Sequence, residues 1–205
     1  MLPSKIEAEE ELDLAGDLNP GPWIRHSYNV GIAAKCIAQY CPDLDEGKAY
    51  ILGILHDIGK RKGFVSTFKH VYEGYHYCMD KGWDEAARIC MTHTYVLKEQ
   101  EFGMNITKEE QEIKDYLKVC EYDDYDRLIM LCDSLAEENG FCMMEKRLVD
   151  VARRHGVNEF TVPRWNANFA LKEYFEKKIG NSIYNVLPFV KETTFIEKQD
   201  RKTRK

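Results

Sequence analysis

The sequence predicts an all-α, single-domain helical bundle. Apolar residues recur at helical spacing through most of the 205 residues, and caps and breakers separate these segments, while the strand candidates at 64–66 and 160–162 are very short. The composition, with 44% hydrophobic and 31% charged residues, is that of a globular chain. Because no internal repeat or low-complexity linker divides the chain, we predict one domain.

The first long helix is predicted over 23–40, after a cluster of proline and glycine breakers. Within it, His26 shares an apolar stripe with residues at helical spacing. Asp45 is the predicted N-cap of the next helix, which we expect to run to about Ile58 and to be broken over 59–63.

The later helices are predicted over 67–81, 84–93, 107–119, 124–138, 143–155 and 166–179. Thr107 and Glu110 have the spacing of a capping box. Asn139-Gly140 suits a left-handed C-cap, and Gly156 and Gly180 stop the last two helices.

The ends of the chain and its charge limit the function classes. We predict an N-terminal extension over 1–18, the helical domain over 19–190 and a basic tail, expected to be mobile, over 191–205. The formal net charge of −6 argues against a duplex nucleic-acid partner, and no apolar run reaches membrane-spanning length. The acidic N-terminus is unlike a leader, and the seven cysteines contain no C-x-x-C pair, so we expect a cytoplasmic protein with free thiols.

Residues that can bind metal ions stand in apolar surroundings along the chain. They are His26, His56, Asp57, His70, His93 and Asp133. A buried aspartate without a partner is costly, and a divalent ion would remove that cost for the His56-Asp57 pair and for Asp133. His26, His56, Asp57 and Asp133 fill one metal site, and Asp57 can bridge to a second ion held by His70 and His93. Paired ions suit an in-line phosphoryl displacement.

The order His26, His56-Asp57, Asp133 resembles the H…HD…D signature of the HD phosphohydrolase superfamily, and the stretch 55–60 contains its HDIGK form. The resemblance covers 22–138 and implies a helical bundle of the HD-domain type, whereas the C-terminal helices over 141–190 carry no family motif. His70 and His93 resemble histidines of the binuclear branch, which includes bacterial di-iron hydrolases of diadenosine tetraphosphate. The chain lacks the Gly-Tyr-Pro motif and the HDxxED form of two other branches.

The resemblance implies a metal-dependent phosphohydrolase that uses metal-activated water to cleave a phosphate ester or anhydride of a small nucleotide-type substrate. It implies a divalent metal cofactor of two ions, with iron (Fe) or manganese (Mn) favoured and Mg, Zn, Ni or Co as alternatives. Asp57 and Lys60 are the predicted catalytic residues, and Lys60 and Arg61 are predicted to bind the substrate.

Other interpretations of the same residues stay open. They are a mononuclear nucleoside 5'-monophosphate phosphatase, a non-catalytic nucleotide-sensing module and a helical interaction protein. The later arginines Arg127, Arg147, Arg153 and Arg154 come from helices that could wall the pocket, and most of them are interpreted as a solvated face. The sequence predicts neither the natural substrate nor the oligomeric state.

Overall fold

The computed structural model describes residues 1–63, 67–98 and 106–195, and these residues are helical with almost no strand. Their helices are α1 (Lys5–Leu18), α2 (Pro22–Ala38), α3 (Glu46–Leu55), α4 (Thr67–Asp80), α5 (Asp84–Thr92), α6 (Lys108–Val119), α7 (Asp124–Asp133), α8 (Met144–His155), α9 (Thr161–Ile179), α10 (Ile183–Val186) and α11 (Val190–Phe195). A 3-10 helix (Ile58–Lys62) lies between α3 and α4, and the two-residue strands β1 (Ala136–Glu137) and β2 (Gly140–Phe141) pair antiparallel. The all-α prediction is confirmed.

The helix caps that the sequence predicts are present. The Asp45 side chain accepts a hydrogen bond from the backbone N–H of Lys48 at the start of α3. Thr107 and Glu110 exchange both bonds of a capping box at the start of α6. Gly156 and Gly180 end α8 and α9 with φ of 82° and 66°, which suits glycine because other residues rarely adopt that conformation.

Two predicted helix ends are wrong. Helix α3 stops at Leu55, and the 3-10 helix occupies most of the stretch predicted as a break. Helix α7 stops at Asp133 rather than near residue 138, because Ala136 and Phe141 pair across a tight hairpin and are both buried. Asn139 therefore lies in the hairpin turn and Gly140 begins β2, so neither residue forms a helix C-cap.

Helix α9 begins five residues earlier than predicted, at Thr161. Pro163 lies in its first turn, where the backbone N–H that proline lacks would have no helical partner. The strand candidate at 160–162 is therefore the start of a helix. The other strand candidate, at 64–66, and the part of the predicted basic tail over 196–205 lie outside the described residues.

The first eighteen residues contribute to the same core as the rest. Helix α1 opens with a capping box between Ser4 and Glu7, and its Ala8, Leu12 and Ala15 are completely buried. Glu11 ties α1 to the elements around it, because its carboxylate accepts hydrogen bonds from Arg61, Tyr77 and Lys81. Burial raises the pKa of Glu11, but these bonds outweigh it and lower the pKa overall.

Glycine pairs allow two close backbone contacts that position the site. A Cβ on Gly53 would lie 2.6 Å from the Cα of Gly31, so α2 and α3 pack backbone against backbone. A Cβ on Gly59 would lie 2.0 Å from the carbonyl oxygen of His70 and 2.5 Å from the nitrogen of Gly74, so the 3-10 helix packs equally closely on α4. These contacts bring the chain around His56 and Asp57 against α2 and α4.

The remaining general expectations concern thiols and membranes. All seven cysteines lie in the described part of the chain and are free. Among the described helices, none combines the length and apolar character needed to cross a membrane.

Candidate metal centre

The candidate metal ligands come from separate helices whose ends or faces meet at one place. They are His26 in α2, His56 at the C-cap of α3, Asp57 just after it, His70 in α4, His93 at the C-cap of α5 and Asp133 at the end of α7. We call these residues the His/Asp cluster. The sequence predicts Asp133 in mid-helix, but the structure places it at the last helical residue, where the chain turns toward the hairpin.

One half of the cluster is built around Asp133. The His26 Nε2 lies 2.9 Å from the Asp133 Oδ1, and the His56 Nε2 lies 3.9 Å from the same oxygen. The donor atoms of these three residues all lie within 4.8 Å of one another, so one ion could contact all of them.

The other half is built around Asp57. The Asp57 Oδ1 lies 3.3 Å from the His70 Nε2 and 3.5 Å from the His93 Nε2, and these two nitrogens are 3.2 Å apart. The other carboxylate oxygen, Oδ2, lies 3.4 Å from the His56 Nε2. The two oxygens of Asp57 therefore face histidines of both halves.

Backbone carbonyl groups fix how two of the histidine rings point. The His56 Nδ1 donates to the carbonyl of Gly53 at 2.7 Å, and the His93 Nδ1 donates to the carbonyls of Ile89 and Cys90 at 3.1 Å. A carbonyl can only accept, so in the neutral rings the proton is on Nδ1 and Nε2 presents a lone pair to the cluster.

The cluster therefore contains acceptor atoms that face one another. The His56 Nε2 is buried and has no hydrogen-bond partner among the described residues. Its nearest polar neighbours are the carboxylate oxygens of Asp57 and Asp133, which also accept rather than donate. A divalent cation satisfies such atoms together, because neutral imidazole and carboxylate are its usual ligands. The residues present thus fit a metal ion.

Both aspartates are held in the anionic form that a metal ion binds. Burial raises the pKa of Asp57, but the opposing effects of its neighbours, of which the charge of Lys60 is the largest, together hold the pKa well below its usual range. Burial likewise raises the pKa of Asp133, but the neighbouring histidines together lower it by more, and the hydrogen bond from His26 is the largest of their effects. The Asp57 side chain is 2% exposed and that of Asp133 is 30% exposed, so the cluster opens to solvent on the Asp133 side.

The structure separates the two predicted substrate-binding residues. The Lys60 ammonium contacts the Asp57 carboxylate, and the Lys60 carbonyl accepts a 2.6 Å bond from the Asn19 side chain. Arg61 instead donates to Glu11 at 3.3 Å, and its guanidinium lies 4.0 Å from the centre of the Tyr77 ring. Lys60 thus belongs to the surroundings of the cluster, whereas the partners of Arg61 are on α1 and α4.

Sequence reasoning missed a buried ion pair that supports the end of α5. Asp126 is completely buried and accepts bonds from the Arg88 Nε at 3.0 Å and from the Thr92 hydroxyl at 2.8 Å. Thr92 directly precedes His93, so this pair holds the turn that presents His93. The available signal was Asp126 itself, a second aspartate in the first turn of α7.

A cleft opens beside the cluster, between the ends of α5 and α7 on one side and α8 and α9 on the other. It encloses about 400 Å³, and both His93 and Asp133 line it. Arg147 from α8 and Trp165 from α9 line the opposite wall. Of the two placements that the sequence left open for the later arginines, Arg147 therefore has the one in a pocket wall.

Comparison with protein families agrees with the geometry. The family model described as HD domain matches residues 23–138, which is more than half of the chain. The chain belongs to the HD domain family. HD domains bind divalent metals and are generally metal-dependent hydrolases, and every residue of the His/Asp cluster of this HD domain protein lies within the match. Neither the curated proteins nor the solved structures contain a match to the chain.

Proposed function

We propose that this HD domain protein is a phosphohydrolase that uses two divalent ions to cleave a phosphate ester or anhydride of a nucleotide-type substrate. The observation that carries the proposal is the position of Asp57 between two groups of histidines. Its Oδ2 lies 3.4 Å from the His56 Nε2, and its Oδ1 lies within 3.5 Å of both the His70 and the His93 Nε2. A carboxylate placed in this way can serve two neighbouring ions.

The proposed division of ligands follows the two halves of the cluster. His26, His56, Asp57 and Asp133 would hold one ion, and Asp57, His70 and His93 would hold the other. This set of nitrogen and oxygen donors without a thiolate favours iron or manganese over zinc. When bound, such ions supply Lewis acidity toward a phosphoryl group and bring the pKa of water toward neutrality.

The chain itself would contribute charge and orientation. Lys60 is the cation beside the cluster, and its side chain is 29% exposed, so its ammonium can reach a phosphoryl oxygen that enters from solvent. There it would offset the negative charge that develops during displacement. Asp57 would fix the distance between the two groups of histidines and could accept a proton from the attacking water. The 400 Å³ cleft provides room for the organic part of the substrate.

Metal stoichiometry of anaerobically purified protein tests the proposal. We expect two equivalents of iron or manganese per chain, a loss of at least one equivalent in His93→Ala, and hydrolysis of nucleotide substrates, including dinucleoside polyphosphates, that is lost in both Asp57→Ala and His93→Ala. His76→Ala is the matched control, because His76 is also on α4 but pairs with Glu112 at 2.7 Å. Retention of metal and hydrolysis by Asp57→Ala would refute the proposal.

The alternative is a mononuclear nucleoside 5'-monophosphate phosphatase. One observation favours it: the donor atoms of His26, His56 and Asp133 lie within 4.8 Å of one another, and this group needs neither His70 nor His93. In that case the wild-type protein would bind one equivalent of metal, and His70→Ala and His93→Ala would leave both the metal and the hydrolysis of monophosphates unchanged. A metal-free protein with no hydrolytic activity would instead leave the nucleotide-sensing module and the helical interaction protein.

A further inference from the structure

The cleft beside the His/Asp cluster has two walls of different origin. His93, Met130 and Asp133 belong to the part of the chain that matches the HD domain. The facing wall comes from α8 and α9 and from the turn between them, all of which lie beyond residue 138. The chain outside the family match therefore shapes the space next to the candidate metal ligands.

Arg147 is the unusual residue in that wall. Its Nε is buried without a hydrogen-bond partner in the described part of the chain, and no ion pair of its side chain is found there. Other arginines of the chain have carboxylate partners: Arg61 pairs with Glu11, Arg88 with Asp126 and Arg127 with Asp124. An N–H group withdrawn from water without an acceptor is costly, so we expect a bound molecule to supply the acceptor that the described residues do not.

The rest of the lining indicates what kind of molecule brings that acceptor. The only carboxylate among the described lining residues is Asp133, which the proposed function assigns to a metal ion, so anionic groups can approach Arg147. Leu148, Val151 and Trp165 add apolar surface, and an indole ring offers a flat face for stacking. The volume of about 400 Å³ falls in the range of small-molecule sites.

We propose that α8 and α9 form the substrate pocket and that Arg147 binds a phosphate group of the substrate. The substrate is thus an organic phosphate whose remaining part has a flat or apolar face that packs against Trp165. A guanidinium suits this task because its fork of N–H donors matches the oxygens of a phosphate. This inference rests on the proposed function, since the pocket is expected to deliver the phosphate to the ions held by the His/Asp cluster.

The test compares Arg147→Gln and Arg147→Lys with the wild-type protein, all loaded with metal. The first readout is the Kd for inorganic phosphate and for pyrophosphate by titration calorimetry, and the second is KM and kcat for an organic phosphate that the wild type hydrolyses. For Arg147→Gln we expect Kd and KM to rise by about tenfold to a hundredfold, the effect of losing charge-assisted hydrogen bonds, with kcat much less changed. Arg147→Lys should recover part of the affinity, because it restores the charge without the fork.

The matched control is Arg153→Gln, which removes the same charge from an exposed position on the same helix outside the lining. Metal content and the midpoint of thermal unfolding show whether each variant folds, and Arg147→Lys decides the question if Arg147→Gln does not fold. If Arg147→Gln does not fold, a Kd and KM of Arg147→Lys equal to those of the wild type would overturn the inference.

The outcomes separate this inference from the proposed function. Hydrolysis by the wild type with unchanged Kd and KM in Arg147→Gln would overturn the inference and leave the function intact. Phosphate binding that depends on Arg147, in a protein that hydrolyses nothing, would support the pocket and refute the hydrolase. Absence of both phosphate binding and hydrolysis in the wild type would overturn both.

Discussion

Gly59→Ala is the substitution that tests most directly how the fold builds the metal centre. Gly59 lies in the 3-10 helix, two residues after Asp57, and does not have a positive φ, so alanine can adopt its backbone conformation. The effect is therefore steric. The new Cβ would lie 2.0 Å from the carbonyl oxygen of His70 and 2.5 Å from the nitrogen of Gly74. Both atoms belong to the backbone of α4 and cannot rotate away.

The distances set the size of the expected effect. Moving the Cβ contact with His70 from 2.0 Å to an acceptable 3.0 Å requires a displacement of about 1 Å between the 3-10 helix and α4. Overpacking of this kind usually costs 1–3 kcal/mol, and we expect about 3 kcal/mol because two backbone atoms are involved. For a chain of this size, that lowers the midpoint of thermal unfolding by roughly 6–12 °C.

Urea denaturation of the metal-free protein measures this loss, and metal analysis measures its consequence. Because Asp57 and His70 lie on the two elements that must separate, Gly59→Ala should also lose the ion assigned to Asp57, His70 and His93. Gly47→Ala is the control, since its Cβ would meet only an Asp45 side-chain oxygen, at 3.2 Å. A free energy of unfolding within 1 kcal/mol of the wild type, with full metal content, would show that this close contact does not build the centre.

Two further substitutions test the packing around the site. Asp126→Asn should lower the free energy of unfolding by about 3 kcal/mol, because it removes the charge partner of the partly buried Arg88; a urea denaturation no different from that of the exposed Asp115→Asn would contradict this. Glu11→Gln should cost about 1–2 kcal/mol at pH 7. Hydrogen bonds lower the pKa of Glu11 despite burial, so its stabilisation is present above the ordinary value of 4.5 and is lost below it. Wild type and Glu11→Gln should therefore converge in stability as the pH falls below 4.5, and a constant difference would count against the ionised contact.

The cleft gives the two parts of the chain different proposed tasks. The region that matches the HD domain carries every residue of the His/Asp cluster, whereas α8 and α9 carry the wall with Arg147 and Trp165. If both proposals hold, the metal ligands would determine the type of reaction and the C-terminal helices would determine which phosphate compound enters. Substrate specificity is therefore to be sought in the α8–α9 wall rather than in the family motif.

Much of the candidate site could be predicted from local sequence. An aspartate inside an apolar run has few ways to avoid the cost of burial, so Asp57 and Asp133 stand out without any knowledge of the fold. Helix caps are similarly local, because Asp45 and Thr107 bond to backbone groups only three residues away. The family match then covers the same residues that the pattern selects. The binuclear arrangement and the identity of the metal stay predictions.

Other features depend on partners that are far away in sequence. In the sequence, Arg61 resembles a phosphate ligand because it follows Lys60. In the structure, its guanidinium instead forms an ion pair with Glu11, fifty positions earlier. The pair of Arg88 with Asp126 spans 38 positions, and the spacing between these residues gives no signal of it.

The helical class, most helix starts and the candidate ligands follow from local sequence, because capping, periodicity and the cost of a buried charge act over a few residues. Local sequence did not predict that α1 joins the core, that α7 ends at Asp133 or that Arg147 faces a cleft. These features depend on which surfaces pack together. That packing is set by contacts between distant segments, such as the one between Gly59 and Gly74, and no local pattern encodes them.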